Sequence, residues 1–400
     1  MKKFVSMMVV MCLAISMAAC GTAKTTTSTA SNAAGSTAKS TAAKAGSSAD
    51  GAIKIGGIGP LTGGAAVYGN AVKNGAELAV KEINAAGGLQ YELNFQDDEH
   101  DAEKAINAYN NLKDWGLQVL MGTVTSTPCI AVAEESHNDN IFQLTPSGSA
   151  VDCVKYDNAF RVCFSDPNQG AASAQYIGTN KLAKKIAVIY DSSDVYSSGI
   201  YSKFASEAAN QGLEIVSAEA FTADSKTDFS VQLQKAKTAG AELVFLPIYY
   251  TEASLILTQA NKLGYAPMFF GCDGLDGILT VDNLDMKLTE NVMLLTPFAA
   301  DAKDEMTQKF VADYQAAYKE MPNQFAADAY DAMYAISVAC DKGAITADMD
   351  ASAMCDALKS TFPTISIDGL TGAKMTWSPE GEPNKAPKAV KIANGVYTAM

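Results

Sequence analysis

Histidine is nearly absent from this 400-residue chain: His100 and His137 are the only two. No HExxH and no CxxC occurs, and the eight cysteines are scattered. That argues against a zinc site and disfavours most histidine-dependent enzymes. Runs of Lys or Arg are missing too. Thirty basic residues stand against 44 acidic ones, a net charge of −14, and so acidic a chain without a basic patch is a poor match for nucleic acid. After the first twenty residues no segment is apolar over the ~20 residues a bilayer span needs. Charged residues make up only 18% and hydrophobic ones 48%, which excludes a wholly disordered chain and suits two or three globular domains.

What is present begins with an address. Lys2 and Lys3 precede an apolar run over 4–19, the pattern of a signal peptide spanning 1–19. The run ends Met17-Ala18-Ala19-Cys20-Gly21, which resembles a bacterial lipobox. The resemblance implies cleavage before Cys20 and a lipid on its sulfur; an ordinary secretory signal with an incidental cysteine is the alternative. Of the 30 residues 21–50, 25 are Ala, Gly, Ser or Thr, with no Leu, Ile, Val or aromatic. Such a segment cannot bury enough surface to offset its ordering entropy, so 20–50 reads as a flexible tether behind the anchor.

From Ile53 the pattern alternates short apolar strands with helical periodicity. Strands are expected at 53–58, 91–95, 117–121 and 141–144, with helices over 70–86 and 102–114 and a third starting near Pro128. The rhythm restarts with strands at 185–190, 213–220, 242–247 and 267–271 and helices at 198–210, 228–239 and 251–263. Alternation of this kind predicts parallel sheets covered by helices, and two runs of it predict two lobes. In open sheets of this class ligands sit beyond the carboxyl ends of the strands.

Gly56-Gly57-Ile58-Gly59-Pro60-Leu61-Thr62 looks like a nucleotide loop but places Thr62 where GxGxxG needs its third glycine, and no P-loop lysine follows. Ser126 and Ser147 lie outside any GxSxG, which leaves a secreted hydrolase as a remote alternative. More informative is Gly122-Thr123-Val124-Thr125-Ser126-Thr127-Pro128, which follows a strand and opens a helix. Hydroxyls beside a helix N-terminus suit a carboxylate, although Ser and Thr there also serve as plain caps. A second hydroxyl loop, Thr145-Pro146-Ser147-Gly148-Ser149, follows the next strand. Asp273 follows a strand of the second run, where it either receives an ammonium or merely makes a turn. Tyr68, Tyr196 and Tyr249 also follow strands, where packing is the plainer role.

Taken with Asn74-Gly75-Ala76-Glu77-Leu78-Ala79, Glu82-Ile83-Asn84-Ala85-Ala86-Gly87-Gly88, Asp97-Asp98 and Tyr330-Asp331-Ala332, the chain over 52–398 resembles the ABC-transporter substrate-binding proteins for branched-chain amino acids. That resemblance implies the type I periplasmic-binding-protein fold: α/β, two doubly wound parallel-sheet lobes joined by a three-strand hinge. It puts lobe 1 at 51–165 and 297–375, lobe 2 at 166–296 and 376–400, and crossovers near 163–167, 295–298 and 374–380. It implies Tyr68 in the side-chain pocket, Ser126 beside Thr125 on the ligand carboxylate, Ser149 on the same carboxylate, and the Ser147 carbonyl near the ammonium. Tyr196 and Tyr249, the latter next to Tyr250, become second-lobe aromatics, and Asp273 the acid on the ammonium, where relatives often have glutamate.

The expectation is therefore a lipid-anchored, extracytoplasmic monomer that closes on Leu, Ile or Val and delivers it to an ABC permease and ATPase. No catalysis, cofactor, metal or nucleic acid is expected. The alternatives are the same fold with another amino acid, a short amide or urea, or an aromatic acid, and a sensory receptor. Beyond Cys20 six cysteines remain in the secreted part, with Cys153/Cys163 and Cys340/Cys355 as candidate pairs by proximity, or buried free thiols instead.

Overall fold

The computed structural model describes residues 51–400. The signal peptide, Cys20 and the tether lie outside the described residues. The first sheet is built from β1 (Ile53–Gly59), β2 (Tyr91–Asp97), β3 (Val119–Met121), β4 (Gln143–Thr145) and β5 (Ala159–Arg161). Its order is β2-β1-β3-β4-β5 and every pairing is parallel. Helices α1 (Ala66–Ala86), α2 (Ala102–Trp115) and α3 (Ser126–Asn138) connect the strands. The strands β3 and β4 are buried throughout; β3 therefore reads as an apolar run without alternation, and in β4 the buried Thr145 hydroxyl donates to the Thr123 carbonyl.

After α4 (Asp166–Thr179) the same order repeats. Strands β6 (Lys185–Asp191), β7 (Glu214–Phe221), β8 (Leu243–Leu246), β9 (Met268–Gly271) and β10 (Met293–Thr296) pair in parallel as β7-β6-β8-β9-β10. Helices α5 (Val195–Ala208), α6 (Ser230–Thr238) and α7 (Tyr250–Lys262) intervene. The chain then adds α8 (Glu305–Tyr318), α9 (Gln324–Lys342) and α10 (Ala351–Thr361), with α8 and α9 packed on α1. It ends in β11 (Lys388–Ala393) and β12 (Val396–Ala399), an antiparallel hairpin on the edge of the second sheet. The second sheet is thus mixed, with its parallel part doubly wound.

Two local departures from the expected elements bear on the site. Helix α1 starts at Ala66, not near 70, because the turn at Gly63 (φ 81°) accepts the Ala66 N–H and the Ala65 carbonyl then accepts the Tyr68 N–H. A side chain at Gly69 would meet the Pro60 carbonyl oxygen at 2.0 Å, so only glycine lets this first turn press against the loop after β1 and carry Tyr68 inward. Helix α3 starts at Ser126, with Pro128 inside its first turn. Farther along α1, a side chain at Gly75 would meet the Ala326 carbonyl oxygen at 2.1 Å. The α1–α9 crossing is therefore a backbone-to-backbone approach lined by Ala71, Ala76, Ala326 and Ala329.

Ahead of β11 the chain keeps several contacts with β5 and α9. Ile367 and Met375 still pair with each other, the Trp377 indole N–H donates to the Arg161 carbonyl (2.7 Å), and Arg161 N–H donates to the Gly381 carbonyl (3.0 Å). Lys385 is then pinned by Asp328 on α9 (2.7 Å), and only at Lys388 does the chain join β10. Residues 376–385 accordingly stay against β5 and α9. The six cysteines among the described residues are all buried and free. Cys153 packs with Cys129 and Ala150, so neither suggested pair forms in this structure.

Candidate functional site

All eight residues singled out above, Tyr68, Thr125, Ser126, Ser147, Ser149, Tyr196, Tyr249 and Asp273, line one narrow cavity. Val124, Gly274 and Phe325 complete it. They meet because each doubly wound sheet opens a crevice beyond its carboxyl edge, and the two edges face one another.

One end of the cavity is built from hydroxyls and amides. Thr125 occupies the N-cap position of α3, yet its side chain makes no capping bond. The Ser126 hydroxyl accepts from the Ala150 N–H (3.1 Å), and the Ser147 hydroxyl donates to the Val124 carbonyl (2.7 Å), so the two loops are tied together. The first-turn amides of α3 open on the same end with the helix dipole behind them. Behind the second loop stands Arg161, the only arginine in the chain and fully buried. Its guanidinium donates to the carbonyls of Gly148 (3.1 Å), Ser149 (2.5 Å) and Ala150 (3.0 Å), which turns those oxygens away and holds a positive charge behind the hydroxyls.

The other end is acidic. Asp273 is buried and accepts from the Tyr196 hydroxyl at 2.7 Å. Tyr196 also accepts from the Gly274 N–H (2.9 Å), and the Asp273 N–H donates to Gln169 (3.2 Å). Burial pushes the Asp273 carboxyl up to about 7, against hydrogen bonds from Tyr196, Gln169 and the Gly274 amide. Asp166, at the start of α4, is driven well above the ordinary carboxylate range by burial, with the Ser149 hydroxyl opposing and the nearby Asp273 adding to the rise. A buried acidic pair is poised to welcome a cation.

Between the ends the walls are aromatic. Tyr196 stacks on Tyr249 with ring centroids 4.9 Å apart, Tyr249 lies 5.5 Å from Tyr68, and Tyr68 lies 4.5 Å from Phe325. Tyr249, not Tyr250, faces the cavity; Tyr250 meets Tyr68 edge-on and donates its N–H to the Tyr68 hydroxyl (3.2 Å). Phe325 had no signal in the sequence: it opens α9, with no strand before it. Its neighbour Gln324 donates to the Asp273 carbonyl (3.1 Å) and through its N–H to Asp276 (2.9 Å). Tyr68 donates to the Gly274 carbonyl and Thr251 to the Gly64 carbonyl (2.9 Å), so the two sheets' loops are bonded shut over the cavity. Among the described residues no group of three or more His, Cys, Asp or Glu is arranged to hold a metal.

Comparison with known proteins agrees with this architecture. A Leu/Ile/Val-binding protein homolog 3 of Brucella melitensis is 34% identical over 234 residues, 57% of this chain and 63% of that protein. The Leu/Ile/Val-binding protein BraC3 of Rhizobium johnstonii is 30% identical over 310 residues, 75% of this chain and 82% of that protein. Among solved structures, the Streptococcus pneumoniae branched-chain amino acid transporter substrate-binding protein LivJ, in complex with isoleucine, superposes with a TM-score of 0.79 at 28% identity, covering 87% of this chain and 98% of that one. The sequence profile of the periplasmic binding proteins matches residues 52–395, and with nearly the whole folded part matched, the chain belongs to that family.

Proposed function

We propose that the protein captures a branched-chain amino acid, Leu, Ile or Val, between its lobes and delivers it to an ABC permease and its ATPase. It acts as a monomer tethered through a lipid on Cys20. The chain is a binding protein and not an enzyme, like the relatives above, and the family is extracytoplasmic. No helix among the described residues is long and apolar enough to cross a membrane. The observation that carries the reading is one small cavity with donors at one end, Asp273 at the other and aromatic walls between. An α-amino acid has that shape: a carboxylate for Thr125, Ser126, Ser149 and the α3 amides, an ammonium for Asp273 and the Ser147 carbonyl, and an aliphatic side chain for Tyr68, Tyr249 and Phe325.

The magnitudes are adequate. Hydrogen bonds to charged groups contribute about 1.5–3 kcal/mol each, and burying one aliphatic side chain about 1.5–3 kcal/mol. Two or three such bonds support micromolar binding, about −8 kcal/mol, after the entropic cost of association. Closure about the three chain passages follows because the ligand's contacts with both lobes exist only when they meet. The test is a thermal-shift panel on protein unfolded and refolded to strip carried-over ligand, run against the twenty amino acids, urea, short amides and benzoate. A shift confined to Leu, Ile and Val is expected, about 2.7 kcal/mol of added stability at a hundredfold excess over Kd. A shift only with urea, amides or benzoate would overturn the assignment.

A further inference from the structure

His100 is the one imidazole beside the cavity, in contact with Thr125 and Tyr249. It sits just past β2 in a turn whose backbone is left-handed at Glu99 (φ 50°) and His100 (φ 62°). L-residues take that conformation at a cost, so the turn persists only where its surroundings hold it. Here Asp98 accepts the His100 N–H (2.8 Å), and Asp101 caps α2 by accepting from Lys104 N–H (2.9 Å). The result aims the ring at two cavity residues at once. Its Nδ1 lies 2.9 Å from Thr125 Oγ1, and its ring meets Tyr249 edge-on, with centroids 5.4 Å apart. Thr125 belongs to the first sheet's loops and Tyr249 to the second's, so His100 touches both sides of the closed cleft.

We infer that His100 is a positioning residue that makes Thr125 a donor to the ligand carboxylate. The inference rests on the reading of the hydroxyl end given above. Thr125 has one hydroxyl proton, and its oxygen accepts no capping bond from the first turn of α3. If Nδ1 accepts that proton, Thr125 presents only lone pairs to the cavity and repels a carboxylate. If Nδ1 carries the hydrogen and donates to Thr125 Oγ1, the Thr125 proton is free for the ligand, in the relay Nδ1–H···Oγ1–H···carboxylate. A bound carboxylate therefore selects the Nδ1–H tautomer. Burial holds the ring's pKa below its ordinary value, with Lys226 lowering it further and Asp191 and Asp101 opposing, so the relay runs from neutral imidazole at pH 7.

Histidine scarcity makes this measurable in the intact protein. With imidazole-15N labelling, the spectrum holds two rings, and a His137→Gln variant assigns them. Saturating leucine should convert His100 to the Nδ1–H tautomer and leave His137 unchanged. His100→Phe keeps an aromatic ring against Tyr249 but removes the donor, and should weaken leucine binding about tenfold, one hydrogen bond's worth. His100→Asn, whose amide N–H mimics Nδ1–H, should recover most of that loss, which a purely structural role would not predict. An Nε2–H tautomer in the leucine complex, or unchanged leucine affinity in a folded His100→Phe variant, overturns the inference while the amino-acid reading stands. Wild-type protein that binds none of Leu, Ile and Val removes that reading and this inference with it.

Discussion

Under the proposed function, Asp273 should make ligand affinity a steep function of pH. Burial has pushed its carboxyl up to about 7, so near neutrality the empty cavity holds it partly protonated. An ammonium needs the carboxylate, and a ligand that brings one must drive Asp273 well below its empty-state value. Each pH unit below 7 then costs about 1.4 kcal/mol, or tenfold in affinity, to expel that proton. Between pH 7.5 and 5.5 the affinity should fall about 25-fold, since the first half-unit lies above the titration and costs little. The amino group stays cationic throughout, so the ligand adds no slope of its own. The assay is isothermal calorimetry with leucine from pH 5.5 to 8, in buffers of different ionisation enthalpy. Near pH 6 binding should release close to one proton, visible as a heat that varies with the buffer. Asp273→Asn should flatten the profile and weaken binding by about 10–150-fold, the equivalent of 1.5–3 kcal/mol. A Kd that moves less than threefold over this range, or a heat independent of buffer, would refute the ammonium role of Asp273.

Two further outcomes bear on the scaffold. Lys385 and Asp328 form an ion pair with both side chains buried (1% and 2% exposed), and Lys385 also donates to Thr371. Lys385→Met strands the Asp328 charge at a cost of about 3–5 kcal/mol, lowering the melting temperature by roughly 4–7 °C for a body of this size; adding Asp328→Leu should restore most of it, and a silent single variant would contradict the argument. The ligand-free protein should also lose stability as pH rises from 5 to 7.5. Burial raises Asp98 to about 7, Asp194 to about 6 and Asp273 to about 7, so the folded chain holds more protons than the unfolded one across that window, and stability falls as each ionises. The slope is opposite in sign to the ligand's pH dependence; melting curves at four pH values with no ligand would expose a flat or rising trend.

Much of this site was legible because the fold obeys a local rule. In a doubly wound sheet, whatever follows a strand is carried to one edge, so hydroxyls after β3 and β4, an acid after β9 and tyrosines at the starts of α1, α5 and α7 converge without any knowledge of tertiary contacts. Helix and strand periodicity located those strands, apart from boundaries that shifted where Gly63 and Gly69 pulled α1 forward. The final hairpin carried a plain signal that the periodicity reading passed over. Asn394-Gly395, both at positive φ, is the two-residue turn that joins β11 to β12.

The remaining residues were illegible for a physical reason that is the same in each case. Phe325 reaches the cavity because Gly75 lets the α1 and α9 backbones touch, a contact between helices more than two hundred residues apart. Gln324 matters through Asp273, 51 positions away, and Tyr68 through the Gly274 carbonyl, 206 positions away. His100 acquires its partners only because a left-handed turn points it across the cleft. The Gln324–Asp273, Tyr68–Gly274 and His100–Tyr249 contacts join residues of the first sheet's side to loops of the second. Each lobe's own sequence pattern is satisfied without them, so no periodicity within a lobe encodes them. Under the proposed function they are also the contacts through which a ligand would shift the balance between open and closed forms, because only interactions that differ between two states can move it. The part of the site hardest to read from sequence is thus the part that joins the two sheets' loops.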